Sequence, residues 1–103
     1  MTNIKISPAA TTMARDMGEV KFGLITTITF PSHGDVQKHP NGKYAINTPC
    51  GCAAATYEPR TNEIIVRYNP KKGEKNKTVT KTISATHVDG VVMKYKFTCK
   101  VIG

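Results

Sequence analysis

The final stretch, Val91 to Gly103 (VVMKYKFTCKVIG), changes character at almost every step. Val91, Met93, Tyr95, Phe97, Cys99 and Val101 fall on one side of the alternation, and Val92, Lys94, Lys96, Thr98 and Lys100 on the other. Only an extended backbone, whose side chains repeat every second residue, sends these two sets to opposite faces. The spacing therefore predicts a strand with one face buried against a second layer. Upstream, Asp89-Gly90 is a tight-turn signal, and Thr78 to Thr86 (TVTKTISAT) alternates in the same way, with Val79, Ile83 and Ala85 inward. A closing hairpin follows. Lys81 interrupts the inward row of its first strand, which is tolerable at a sheet edge.

The rest of the chain reads in the same terms. Ile4 and Ile6 alternate with polar residues before Pro8 and predict a short opening strand. Val20 to Phe30 (VKFGLITTITF) predicts one half-buried strand, with Phe22, Leu24, Thr26, Ile28 and Phe30 on a common face. Residues 31–42, with two prolines, two glycines and two histidines, predict a loop. Tyr44 to Ile46 and Ala53 to Tyr57 predict short strands, the latter paired across the turn at residues 58–62 with Glu63 to Tyr68 (EIIVRY), where Ile64, Val66 and Tyr68 share a face. About seven strands and no periodic helix predict an all-β, two-sheet sandwich, with a small barrel as the alternative. Fourteen Thr, eight Val and nine Ile agree with that class, because β-branched side chains suit pleated backbone. At 103 residues the chain fits one core, expected over residues 13–103 behind an extended arm, residues 1–12.

Charge constrains the partners. Fifteen Lys and Arg against seven Asp and Glu give a formal +8. Between residues 71 and 100 the lysines are Lys71, Lys72, Lys75, Lys77, Lys81, Lys94, Lys96 and Lys100, opposed only by Glu74 and Asp89. A field of one sign there draws an anionic surface or polymer. Lys71 to Lys77 lacks the glycine spacing of a phosphate-binding P-loop. It reads either as a solvated hairpin tip or as a contact surface that Lys94, Lys96 and Lys100 prolong. On the polar face no aromatic residue interleaves with those lysines to offer bases a stacking platform. The start of the chain carries no apolar run of the signal-peptide kind, so export by signal peptide is not expected. On that expectation Asn76-Lys77-Thr78 stays unglycosylated.

Cys50-Gly51-Cys52 is the most unusual local feature. In extended backbone both thiols project from one face, and Gly51 permits a bulge or a close approach of another strand. A structural zinc site wants four ligands, which only Cys99 and one of His33, His39 or His87 could complete. Buried thiols, one disulfide, a metal site and a reactive cysteine all remain open. The odd count of three makes reduced, buried thiols the expectation, with Cys, Gly and Ala letting two sheets approach and Cys99 packed as a small hydrophobe. The three histidines are scattered and expected in solvent. Ser7, Ser32 and Ser84 lack the setting of a nucleophile elbow, and Glu58 and Glu63 flank a turn with no cleft predicted between them. No catalytic residue, metal ligand or cofactor site is assigned.

Taken in order, Asp16-Met-Gly-Glu-Val-Lys-Phe-Gly23, a strand, Cys50-Gly-Cys52, Ile64-Ile-Val-Arg-Tyr68 and the closing hairpin ending at Gly103 resemble immunoglobulin-like domains of the DUF1573 and HYDIN/ASH type. Residues 14–103 carry the resemblance. Met17 stands where that family has an aromatic, and Glu58 to Glu63 (EPRTNE) replaces its Pro-Gly-Glu turn. The resemblance implies a seven-stranded immunoglobulin-like sandwich acting as an adhesive or scaffolding module without catalytic residues, and suggests an accessory protein of phage particles. The resulting expectation is a virion protein, such as a capsid-decorating protein present in many copies, made in the host cytoplasm and not a membrane protein. It would dock on an acidic capsid or other virion protein through Lys71, Lys72, Lys75, Lys77, Lys94, Lys96 and Lys100, with Ile4 and Ile6 adding as a strand to a neighbouring edge. The alternative is a small basic protein binding nucleic-acid phosphates.

Overall fold

The structure is a computed structural model describing residues 12–103. Ile4, Ile6 and almost all of the expected arm lie outside the described residues. Seven strands form two sheets: β1 (Thr12–Lys21), β2 (Thr26–Pro31), β3 (Ile46–Asn47), β4 (Ala53–Glu58), β5 (Glu63–Tyr68), β6 (Thr78–Thr86) and β7 (Val92–Ile102). One sheet has the order β1-β7-β6-β3 and the other β2-β5-β4. The chain changes sheet at each connection except the β4–β5 and β6–β7 hairpins, an immunoglobulin-like sandwich.

The sheets close on the side chains that the alternation singles out. Met93, Tyr95, Phe97, Cys99 and Val101 of β7 are buried, as are Ile64, Val66 and Tyr68 of β5 and Val79, Ile83 and Ala85 of β6. Aromatic rings interlock across the layers: Phe30 of β2 meets Tyr95 of β7 at 5.5 Å between centroids, and Tyr68 of β5 meets Phe97 at 5.3 Å. Truncating such a buried aromatic to alanine costs about 3–5 kcal/mol, transfer and cavity terms together.

The first strand is where sequence and structure part. β1 runs parallel to β7, the opposite end of the chain, from Thr12 beside Lys94 to Lys21 beside Ile102. Its register slips between Asp16 and Glu19, where Gly18 takes a φ of 68° and the Asp16 carboxylate accepts the Gly18 N–H at 2.8 Å. This is a β-bulge, and it gives the Asp-Met-Gly segment a backbone reason. The continuous strand expected from Val20 to Phe30 is broken: the chain turns at Gly23, φ 90°, and leaves Leu24 and Ile25 59% and 63% exposed. Period-two alternation persists across that turn by coincidence, so pattern alone cannot see it. The strand expected at Tyr44–Ile46 is displaced to Ile46–Asn47, with Tyr44 in an isolated bridge to Lys38.

Lys81 sits where β6 has an open side. β3 covers only Ser84 and Ala85, so among the described residues the first half of β6 has no neighbour beyond it. Arg15, exposed on the edge strand β1, reaches across to donate to the Thr29 carbonyl of β2 and ties the sheets together at their other margin.

Candidate functional site

The outer face of the four-stranded sheet is set by the residues that alternate with its core. On β7 it presents Val92, Lys94, Lys96, Thr98 and Lys100, and on β6 Thr78, Thr80, Thr82, Ser84 and Thr86. The register places Lys100 beside Thr78, Thr98 beside Thr80, Lys96 beside Thr82 and Lys94 beside Ser84. Alternate positions along a strand recur about every 7 Å, so the face is a lattice of hydroxyls and ammonium groups. Thr80 and Thr98 share a hydrogen bond of 3.0 Å across it. The hydroxyl row was not picked out as part of a site from sequence, although the alternation of TVTKTISAT carries the signal.

The loop from Asn69 to Lys77 supplies the other lysines and is pinned at several points. A one-turn 3-10 helix spans Lys72–Glu74. Asn76 N–H donates to the Val101 carbonyl at 2.7 Å, and Val101 N–H donates to Lys77 at 2.9 Å, which extends the loop along the end of β7. Glu74 then folds inward. Its Oε1 accepts from Tyr68 Oη at 2.8 Å and from Lys71 N–H at 2.9 Å, while its Oε2 lies 2.6 Å from Lys81 Nζ. Burial pushes the Glu74 carboxyl up, but the Lys81 bond and charge with the Lys71 and Tyr68 bonds outweigh it, holding the carboxyl below its ordinary range. Burial first, and then the same carboxylate, push the Tyr68 phenol up.

Lys81 is thus withdrawn from the cationic surface. Asp89, the other acid of this region, bonds Val91 N–H at 3.0 Å and His33 Nε2 at 2.8 Å. Lys71, Lys72, Lys75, Lys77, Lys94, Lys96 and Lys100 make no ion pair among the described residues. The loop lies at the Lys100 end of the lysine row, and Lys21 closes β1 at that same end, beside Ile102. Glu19 beside Lys100 and Asp16 beside Thr98 bound the field on the β1 side.

At the opposite end His87 is 1% exposed, correcting the expectation that all three histidines face solvent. Its Nδ1–H donates to the Gly34 carbonyl at 3.0 Å, which leaves Nε2 to accept from Tyr95 Oη–H at 3.0 Å, and Tyr95 Oη in turn accepts His33 N–H at 3.0 Å. The imidazole replaces water for a loop that would otherwise bury orphaned backbone groups. Nearby, Tyr57 Oη lies 2.9 Å from Asp35 Oδ1 and 2.8 Å from Asn62 Oδ1. Burial, then the Asp35 bond and charge, push its phenol up to about 12.

The cysteines also depart from expectation. Cys50 and Cys52 are joined in a disulfide, not held as reduced thiols, and Cys99 is the free cysteine, 1% exposed, its thiol pushed up by burial. Gly51 is exposed and a Cβ there would meet nothing within 4 Å, so close approach of another strand is not its purpose. Cys52 and Ala53, both 5% exposed, do pack in the core. A cross-link between residues two apart removes little chain entropy, about 1.5 kcal/mol at most on the loop-length relation. Among the described residues no three His, Cys, Asp or Glu side chains are placed to share a metal ion.

A groove of 440 Å³ opens between β3 and β4, lined by Gly42, Lys43, Tyr44, Ile46, Ala55 and Thr56. Glu58 and Glu63 face each other in the β4–β5 register, with Glu58 turned to Arg60 Nε at 3.3 Å. Compared with family models, curated proteins and solved structures, the chain matches none. Fold and site together define an immunoglobulin-like β-sandwich with a pinned cationic loop and a hydroxyl-and-lysine sheet face.

Proposed function

We propose that the chain is a non-enzymatic docking module that holds the acidic surface of a larger assembly against the outer face of β6 and β7 and the loop at Lys71–Lys77. The observation that carries this reading is seven lysines that make no ion pair among the described residues, with Glu74 and Asp89 turned to other partners and only Asp16 and Glu19 bordering the face on the β1 side. Opposite charge on the partner steers encounter and sets register. The pinned loop lowers the entropy lost when the lysines are engaged. With the sequence resemblance, this supports a capsid-decorating or other accessory protein of a phage particle, bound in many copies.

Co-sedimentation with purified particles from the source tests it. A fixed number of copies per particle, released by salt, is the expected result. Absence of the chain from every large assembly sinks the proposal. Retention of nucleic acid on a filter, with affinity falling linearly against the logarithm of salt, would instead assign the same lysines to phosphates.

A further inference from the structure

We propose that Cys50 and Cys52 form a thiol–disulfide exchange site, with Cys50 as the sulfur that meets the incoming thiol and Cys52 as the resolving sulfur. Three observations converge. The bond joins residues two apart, with Cα atoms 5.2 Å from each other, so it holds no distant elements together. Cys50 is half-buried, at the margin of the core beside the exposed, open Gly51, whereas Cys52 is 5% exposed within the core, so Cys50 is the more accessible residue of the pair. The local backbone has its own support, since Asn69 N–H donates to the Cys52 carbonyl at 2.7 Å where β4 begins. The disulfide can therefore open without the strand letting go.

Access decides which sulfur reacts. A thiolate of a small thiol, or of an exposed protein cysteine, attacks Cys50 Sγ. A new S–S bond forms to Cys50 as the Cys50–Cys52 bond breaks, and Cys52 leaves as a thiolate that takes a proton from solvent. A second thiolate attacking the incoming sulfur releases a disulfide and leaves Cys50 as a thiol. Two thiols are thereby oxidised to one disulfide, and the two electrons reside on the Cys50–Cys52 pair. In reverse, Cys50 attacks a disulfide and Cys52 resolves the mixed species. Cys99, on the far strand β7 and buried, takes no part.

Equilibrating the native protein in buffers of graded reduced-to-oxidised glutathione, followed by acid quench, alkylation and peptide mapping, tests this. The peptide holding Cys50 and Cys52 should pass from disulfide to dithiol with the circular dichroism unchanged, and Cys99 should stay unalkylated until denaturant is added. In Cys52→Ser, oxidised glutathione should label Cys50 about tenfold or more faster than it labels Cys52 in Cys50→Ser. An exposed-cysteine peptide run in parallel separates a protein partner from a small thiol. Three free thiols at every ratio, reduction only on unfolding, or equal labelling of the two variants overturns the proposal.

Discussion

Lys81 Nζ lies 2.6 Å from Glu74 Oε2, an ion pair whose two side chains are only 18% and 16% exposed. Glu74 belongs to the lysine-rich loop and Lys81 to the inward row of β6, and Tyr68 of β5 donates to the same carboxylate. One acid among seven lysine-loop residues thus ties the loop to both sheets. It also turns a lysine that breaks the β pattern into a loop anchor.

Glu74→Gln should destabilise the fold by about 2–4 kcal/mol, because Lys81 is left half-buried without its counter-charge. Urea unfolding measures this, and the double variant with Lys81→Met should recover most of the loss. Acid carries the same signature. A carboxyl held below its ordinary 4.5 stabilises the fold above that pH, and the contribution drains away as pH falls through the lowered native value. The Glu74→Gln protein should therefore lose less stability between neutral and acid pH than the parent. A loss equal to the parent's contradicts the pairing.

Reversing two charges on the sheet face, Lys94→Glu with Lys96→Glu, should weaken binding to an acidic partner about tenfold or more. Both side chains point away from the core, so the melting transition should move by no more than about 0.5 kcal/mol in stability. Sedimentation at two salt concentrations reads the first quantity and calorimetry the second. Unchanged binding at low salt removes this face from the docking surface.

Tyr95→Phe should cost about 1–3 kcal/mol, since it leaves His87 Nε2 and His33 N–H without their common partner in a buried place. The tilted ring contact with Phe30 is retained, so a larger loss points to disrupted packing. Equilibrium unfolding and the His87 imidazole resonances distinguish these outcomes.

Alkaline titration should show Tyr57 ionising late, near 12, against 10.0 for an ordinary phenol. The unfolded chain gives up that proton first. The stability associated with Tyr57 is therefore complete below pH 10 and is lost as pH rises from 10 toward 12. In Tyr57→Phe that part of the alkaline loss should disappear. A normal phenol titration at this position, followed by ultraviolet difference absorption, overturns the assignment.

The closing hairpin, β4, β5 and the inward rows of β5, β6 and β7 were legible because each depends on local alternation and on turn residues such as Asp89-Gly90. The position of Lys81 at an open edge was legible for the same reason, though its partner was not. β1 was not legible: Met13 and Met17 alternate too weakly to mark a strand, and the β7 neighbour that makes it one lies at the other end of the sequence. The break at Gly23 was hidden because its flanking residues keep a strand's alternation through a turn.

His87 and the cysteine pair show the same division. Residue type and spacing limit what a side chain can do, while burial, partner and bond are set by what the fold brings within reach. A two-layer β scaffold and a cationic surplus toward the C-terminal third are written into the residue order, since both follow from the succession of side chains along one strand or loop. It took the folded arrangement to fix which lysine is drawn into a half-buried ion pair, which acid holds it, and that the first strand pairs with the last. Those outcomes are distances between residues far apart in the chain, and no local pattern encodes a distance.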